Sequence, residues 1–295
     1  MRHAVLGAGG VGGLVGGAFA KAGHLVTLLV RPGRSDQYPD RLSVDSDTLG
    51  TFEAPVQVAD RLDRQFDVVW ITAKATVLEA ALNAVPEEKL GGAIVVPLLN
   101  GVDHVRELRD RYGPERVMPG TIRVEAEQIG PGRVRHLSAF ADVQVAPRPA
   151  TRARAEALCE ELRGAGLGCE VREDEVTMLW SKLCFLAPFA LATTASGGPL
   201  GVVRSDPVRW TGLEGCVKEA CAVGVAEGAK VAPEPILAAF EGAPNGFRSS
   251  MQKDVAAGRP PELEAIAGPI LRGGTEHGID VSATRTLVDR IMELE

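Results

Sequence analysis

At 295 residues the chain is longer than one compact core usually serves, so two domains are expected. Its 45% hydrophobic and 24% charged residues can build a large core without covalent or metal staples. Thirty-two basic against 39 acidic side chains leave a net charge of −7, so no basic excess draws the molecule to nucleic acid. Cys159, Cys169, Cys184, Cys216 and Cys221 form no CxxC pair and, being odd in number, cannot all be joined within one chain. They read as reduced thiols of a cytoplasmic protein. The histidines are scattered as well, and no metal is expected.

In chain order, RHAVLG is a short β-type run, GAGGVGG a glycine loop, LVGGAFAKAG a small-residue helix suited to close packing on a sheet, and LVTLLV a second buried strand. Strand, glycine turn, helix and strand within some thirty residues make a βαβ unit, which crosses over right-handed. The seven glycines between Gly7 and Gly17 argue against a secretory signal. Further apolar runs at Asp67–Ile71 and Ala93–Pro97 flank the helix-like TVLEAALNAV, an alternation that implies a parallel sheet covered on both faces. From Val117 to Ala146 short strands with a turn at Pro131 and Gly132 suggest antiparallel additions at one edge. A charged helix (Thr151–Arg163) and a strand (Leu167–Val171) complete the first domain.

After Asp174 the sequence turns helical, through DEVTMLWSKLCFLAPFALATTA and EGCVKEACAVGVAEGA to TRTLVDRIMEL. The expected fold is therefore α/β: a Rossmann-type doubly wound sheet over residues 1–172, then an all-helical domain over residues 173–295. The apolar run Leu183–Ala195 is broken by Pro188 and is too short to span a bilayer of roughly 30 Å, so no membrane segment is expected.

Gly7, Gly9 and Gly12 fit G-x-G-x-x-G at a strand-to-helix turn. The first glycine permits the tight turn, the second lets backbone approach a pyrophosphate, and the third lets helix and strand pack closely. Gly7, Ala8, Gly9, Gly10, Val11 and Gly12 are thus the candidate phosphate cradle, at a helix N-terminus whose unpaired N–H groups favour anions. At the end of the second strand, where an NAD-binding chain usually has Asp or Glu, LLVRPGR places Arg31 and Arg34. A guanidinium suits a 2′-phosphate, so NADP is the expected cofactor.

GAGGVGG, ITAKA, LLNGV, WSKL and SSMQKDVAAGRPPELEAIAG, in this order and spacing, resemble the ketopantoate reductase (2-dehydropantoate 2-reductase) family over nearly the whole chain. The resemblance implies NADPH-dependent reduction of 2-dehydropantoate to pantoate in pantothenate and coenzyme A biosynthesis. Lys182 would then give a proton to the forming alkoxide and contact substrate. Lys74 and Asn100, after later strands, would meet the cofactor, and Asn100 also the substrate. Ser250 would hold the substrate carboxylate, and Glu262 would act near the reacting hydroxyl and the nicotinamide end. Read without the resemblance, Lys74 is a surface charge, Asn100 a turn residue, Ser250 a helix-start residue and Glu262 a first-turn acid. The helical domain of such enzymes often pairs two copies, so a homodimer is compatible with the sequence.

One departure stands out. The family usually carries asparagines one and two helical turns beyond the lysine, where this chain has Leu186 and Ala190. Either Thr193, Thr194 or Ser196 replaces those amides, or the substrate is a different, more apolar 2-oxo acid or ketone. A reading of another class, a non-catalytic NADP redox sensor, is opposed by the retained lysine, serine and glutamate.

Overall fold

The computed structural model describes residues 1–294. Two units emerge: Met1–Leu99 with His104–Glu175, and Asn100–Asp103 with the chain from Val176 onward. The strands of the first unit are, in chain order, β1 (Arg2–Leu6), β2 (Leu25–Leu29), β3 (Arg41–Ser46), β4 (Phe52–Pro55), β5 (Gln57–Ala59), β6 (Val68–Ile71), β7 (Ile94–Pro97), β8 (Gly120–Arg123), β9 (Ala126–Gly130), β10 (Arg133–His136), β11 (Asp142–Val145) and β12 (Gly168–Val171). Its helices are α1 (Gly10–Lys21), α2 (Leu78–Ala81), α3 (Glu87–Leu90), α4 (His104–Tyr112) and α5 (Arg152–Gly164).

The central sheet is parallel, in the order β5-β2-β1-β6-β7. Strand order reverses between β1 and β6, which makes the carboxyl end of β1 the topological switch point where open α/β sheets take ligands. Two smaller sheets accompany it, β4-β3-β10-β9 and β12-β11-β8.

The glycines of α1 show how these layers are spaced. A Cβ on Gly16 would touch Leu28, Val26 and Val5 of the central sheet, whereas one on Gly13 would lie 2.4 Å from Val134 and one on Gly17 2.7 Å from Val44, both in the four-stranded sheet. The helix is therefore pressed between two sheets. Glycines four apart recur on each of its faces because side chains there would hold the sheets apart.

Several expectations need correction. The strands between Val117 and Ala146 pair antiparallel as β9–β10 and β8–β11, yet they belong to two separate sheets rather than to one edge of the central sheet, and each of those sheets also holds a parallel pair, β10–β3 and β11–β12. The segment TVLEAALNAV is not one helix but a turn of 3₁₀ helix at Ala75–Val77, then α2, then another 3₁₀ turn at Leu82–Ala84. Cys159 and Cys169 are not free thiols but a disulfide. The chain reverses after α5 and lays β12 back against that helix, which brings the two cysteines within 5.0 Å between Cα atoms despite the absence of a CxxC spacing.

A buried polar chain joins β1 to its neighbours. The Trp70 indole N–H donates to His3 Nδ1 at 3.2 Å, His3 Nε2 lies 3.0 Å from His24 Nδ1, and His24 Nε2 lies 2.9 Å from Glu161. Because Trp only donates, neutral His3 carries its proton on Nε2 and passes it toward His24. Burial, then the adjoining His24, pushes His3 down to about 3. The folded value lies below the unfolded one, so the unfolded chain takes up this proton first and stability falls as pH drops below about 6.5. Between pH 7 and pH 5 this residue alone should remove about 2 kcal/mol. Urea unfolding at both pH values should show the loss, and His3→Asn should flatten it; equal acid slopes in both proteins would refute this origin.

The second unit is helical among its described residues: α6 (Glu175–Ser196, its first residue belonging to the first unit), α7 (Leu200–Arg204), α8 (Pro207–Ala226), α9 (Pro233–Gly242), α10 (Ser250–Ala256), α11 (Leu263–His277) and α12 (Ser282–Met292). Its core joins Trp180, Leu183, Phe189 and Leu191 of α6 to Leu213 and Val217 of α8 and Ile266 and Ile270 of α11. Pro188 does not break α6, which runs 22 residues. That proline removes a single backbone donor, and packing on both sides holds the helix through it. α6 is long and apolar enough to cross a membrane by composition, yet two-thirds of its apolar window (67%) is buried within the protein. Its apolarity is thus used in the core.

Candidate active site

In the first unit, helix α1 begins inside the glycine run, at Gly10, with Gly9 as its N-cap and no side-chain cap. Each glycine has its own physical reason. Gly7 has φ +99°, and a Cβ there would sit 2.6 Å from the Ala73 nitrogen. At Gly12 a Cβ would sit 2.2 Å from the Gly7 carbonyl oxygen, and at Gly10 2.1 Å from that of Ala126. Gly9 alone faces open space, with nothing within 4 Å of the same position. Steric need therefore explains Gly7, Gly10 and Gly12 from within the protein, while the bare approach at Gly9 is what a pyrophosphate requires.

Two residues that sequence reasoning missed hold this loop. Thr72 donates from its hydroxyl to the Leu6 and Gly7 carbonyls at 3.0 and 2.8 Å. Gln128 donates to the Ala8 carbonyl at 2.8 Å and to the Tyr38 hydroxyl at 3.0 Å. Thr72 lies two residues before Lys74 in ITAKA, a local signal; Gln128 lies on β9, 120 residues from its partner, with no local signal.

Arg31 is exposed beyond β2, in a turn closed by Arg34 N–H donating to its carbonyl at 3.0 Å, with Gly33 at φ +74°. Lys74 is exposed just after β6, at the start of the Ala75–Val77 turn. Both follow carboxyl ends of the parallel sheet, as does the glycine loop after β1. The loop, the α1 N-terminus and the arginine-bearing turn fit a dinucleotide with a phosphorylated ribose.

The second unit brings other nominated residues together. Lys182 lies on α6, half-buried. Burial pulls its ammonium down to about 8, opposed by the charge of Glu262. Glu262 is itself buried at the N-cap of α11 and accepts from Asn100 Nδ2 at 3.3 Å. The Asn100 turn is seated by Gly101, whose φ is +84° and where a Cβ would lie 2.2 Å from the Ala265 carbonyl oxygen. Arg272 of α11 then ties Asp103 to Glu264. Lys182, Glu262 and Asn100 therefore form one electrostatically linked group, able to present a proton near neutral pH.

Ser250 is exposed at the first position of α10, and the residue before it, Ser249, is the buried N-cap, accepting from Gln252 N–H at 3.1 Å. Pairing a buried capping serine with an exposed one leaves the second hydroxyl available at the surface. His277, in the last turn of α11, is engaged with Glu227 at 2.9 Å.

Comparison with known proteins agrees with this layout. Residues 3–149 match the ketopantoate reductase PanE/ApbA family and residues 175–295 the C-terminal region of the same family. A 2-dehydropantoate 2-reductase of Caulobacter vibrioides is 30% identical over 97% of this chain and 96% of its own length. A PanE/ApbA family ketopantoate reductase from Ralstonia eutropha JMP134 superposes with a TM-score of 0.88 at 26% identity, covering 100% of this chain and 98% of that one. D-mandelate dehydrogenase, solved with NADH and anilino(oxo)acetate, shares the fold with a TM-score of 0.90 at 21% identity, covering 100% of this chain and 98% of its own. With its glycine-turn sheet, helical second unit and linked lysine, glutamate and asparagine, the chain belongs to the ketopantoate reductase family, NADPH-dependent oxidoreductases acting on CH–OH groups.

Proposed function

We propose that this protein reduces the ketone of a 2-oxo acid to the 2-hydroxy acid at the expense of NADPH. The observation that carries this reading is the desolvated Lys182 ammonium, held down to about 8 by burial and backed by Glu262 and Asn100. An amine in that range is protonated at neutral pH yet releases its proton readily.

When bound, NADPH would supply the hydride for ketone reduction. Gly7, Ala8, Gly9, Gly10, Val11 and Gly12 would hold its pyrophosphate, Arg31 would suit its 2′-phosphate, and Lys74 and Asn100 would serve the cofactor from later strand ends. Lys182 stabilises the developing negative charge on the carbonyl oxygen and delivers the proton that completes the alcohol. Glu262 keeps that ammonium oriented, and Asn100 fixes Glu262. Ser250 donates to the substrate carboxylate.

Relatives named 2-dehydropantoate 2-reductase make ketopantoate the first compound to assay, with conversion to pantoate as the expected outcome for a family member serving coenzyme A synthesis. The anilino(oxo)acetate bound to D-mandelate dehydrogenase is an aryl-bearing oxo acid, which favours wider sampling. Steady-state NADPH oxidation with a panel of 2-oxo acids tests the reading. Turnover of at least one supports it; no consumption of NADPH with any of them contradicts it. We place the reaction in the cytoplasm, where Cys184, Cys216 and Cys221 stay reduced; the Cys159–Cys169 pair is the one feature such a compartment opposes. A homodimer through the helical unit is the assembly we propose.

A further inference from the structure

The face of α6 that carries Lys182 is apolar. Successive positions on that face are Leu186, one turn on, and Phe189 and Ala190, two turns on, before Thr193 at the third. Phe189 stacks on Phe247 with ring centroids 4.4 Å apart, and Phe185 stacks on Phe240 at 4.5 Å. Phe247 lies three residues before Ser250. The Phe189–Phe247 stack therefore runs from the helix that carries Lys182 to the segment that leads into Ser250. Leu186, Phe185 and Phe247 keep part of their surface exposed.

The hydroxyls that could replace a missing amide are engaged or enclosed. Thr193 is fully buried and donates to the Phe189 carbonyl at 2.6 Å, so Ser249, 2.9 Å away, must donate to Thr193. Ser196 donates to the Thr193 carbonyl at 3.0 Å and accepts from Gly198 N–H at 3.2 Å. Thr194 Oγ1 and Gln252 Oε1 have no partner among the described residues, but both atoms are wholly enclosed and beyond a ligand's reach.

We propose that the substrate is a 2-oxo acid whose side chain is a branched or aromatic hydrocarbon, selected by Leu186 and Phe247; this rests on the reductase reading above. A substrate hydroxyl laid against this face loses its water without gaining a partner. The penalty for such a hydroxyl in an apolar pocket is on the order of 10- to 100-fold in kcat/KM.

Ketopantoate and trimethylpyruvate, which differ by one hydroxyl, make a matched pair, and phenylglyoxylate adds an aromatic member. The wild-type protein with NADPH should turn over trimethylpyruvate or phenylglyoxylate with kcat/KM at least roughly 10-fold above ketopantoate. Leu186→Asn should shrink that ratio by about 10-fold, mainly through KM, and Phe247→Asn, at the other end of the stack, should act in the same direction. A wild-type preference for ketopantoate overturns the substrate class while leaving the reductase reading in place. Unchanged ratios in both folded variants, judged by their unfolding midpoints, overturn the assignment of selectivity to these residues. NADPH oxidation with none of the three, nor with the wider panel, overturns the reductase reading and this inference together.

Discussion

Replacing Lys182 with methionine should lower kcat for ketone reduction by about 100- to 10,000-fold, the range typical of losing a general acid, while leaving NADPH affinity unchanged. The elements proposed to hold the cofactor phosphates, the glycine turn and the arginine-bearing turn, lie in the first unit, whereas Lys182 is carried by α6 in the second. Methionine keeps an unbranched apolar stem of similar length and removes the charged head, so little volume is lost from the helix face. Fluorescence titration with NADPH and single-turnover kinetics separate the two effects. A variant that reduced substrate at the wild-type rate would leave Lys182 without a catalytic role. One that lost NADPH binding as well would point to a structural role instead.

The second large effect is expected at the glycine turn, where two neighbouring substitutions should fail differently. Gly12→Ala drives a Cβ to 2.2 Å from the Gly7 carbonyl oxygen and 2.4 Å from Thr72 Oγ1, so β1, β6 and α1 must part. Backbone cannot yield as a flexible side chain would, and a loss of about 2 to 4 kcal/mol in stability should accompany the loss of cofactor binding. Gly9→Ala meets nothing within 4 Å and starts from φ −79°, which alanine adopts freely. It should fold with an unaltered midpoint and yet bind NADPH at least about 10-fold more weakly, because the methyl occupies the phosphate's approach. Thermal melts with and without NADPH decide the matter. Equal melting of both variants, or undiminished NADPH affinity in Gly9→Ala, would contradict the placement of the pyrophosphate.

How much of this was legible in the sequence depends on the range of each interaction. The βαβ opening could be read because strand, glycine turn and helix are contiguous and each leaves a local period. Lys182, Asn100 and Glu262 are singled out by the family resemblance rather than by any local period, and the helical unit brings them into one linked group. The β3–β4 hairpin went unassigned although Leu42 and Val44 alternate with exposed or half-buried neighbours. Its strands are short and polar, and β3 is completed by β10, about ninety residues away. The second pair of glycines in α1, Gly13 and Gly17, likewise makes sense only once that distant sheet is seen to lie across the helix. Cys159 and Cys169 met for the same reason: a chain reversal, not a spacing motif, brought them together. Phe247 carries no local signal for the selectivity proposed for it, since that proposal rests on its stacking against Phe189, 58 positions earlier. Ser249 illustrates the finer limit. Two serines stand side by side, and only the fold distinguishes the buried cap from the exposed hydroxyl.

The pH profile of kcat/KM for 2-oxo acid reduction bears most directly on the central claim, that a desolvated ammonium at residue 182 delivers the proton. The reactive form is protonated, and burial has brought the group down to about 8, so the profile should be level below pH 8 and fall tenfold per unit above it. A rate constant that stays level to pH 10, or one that rises with pH, would contradict the account.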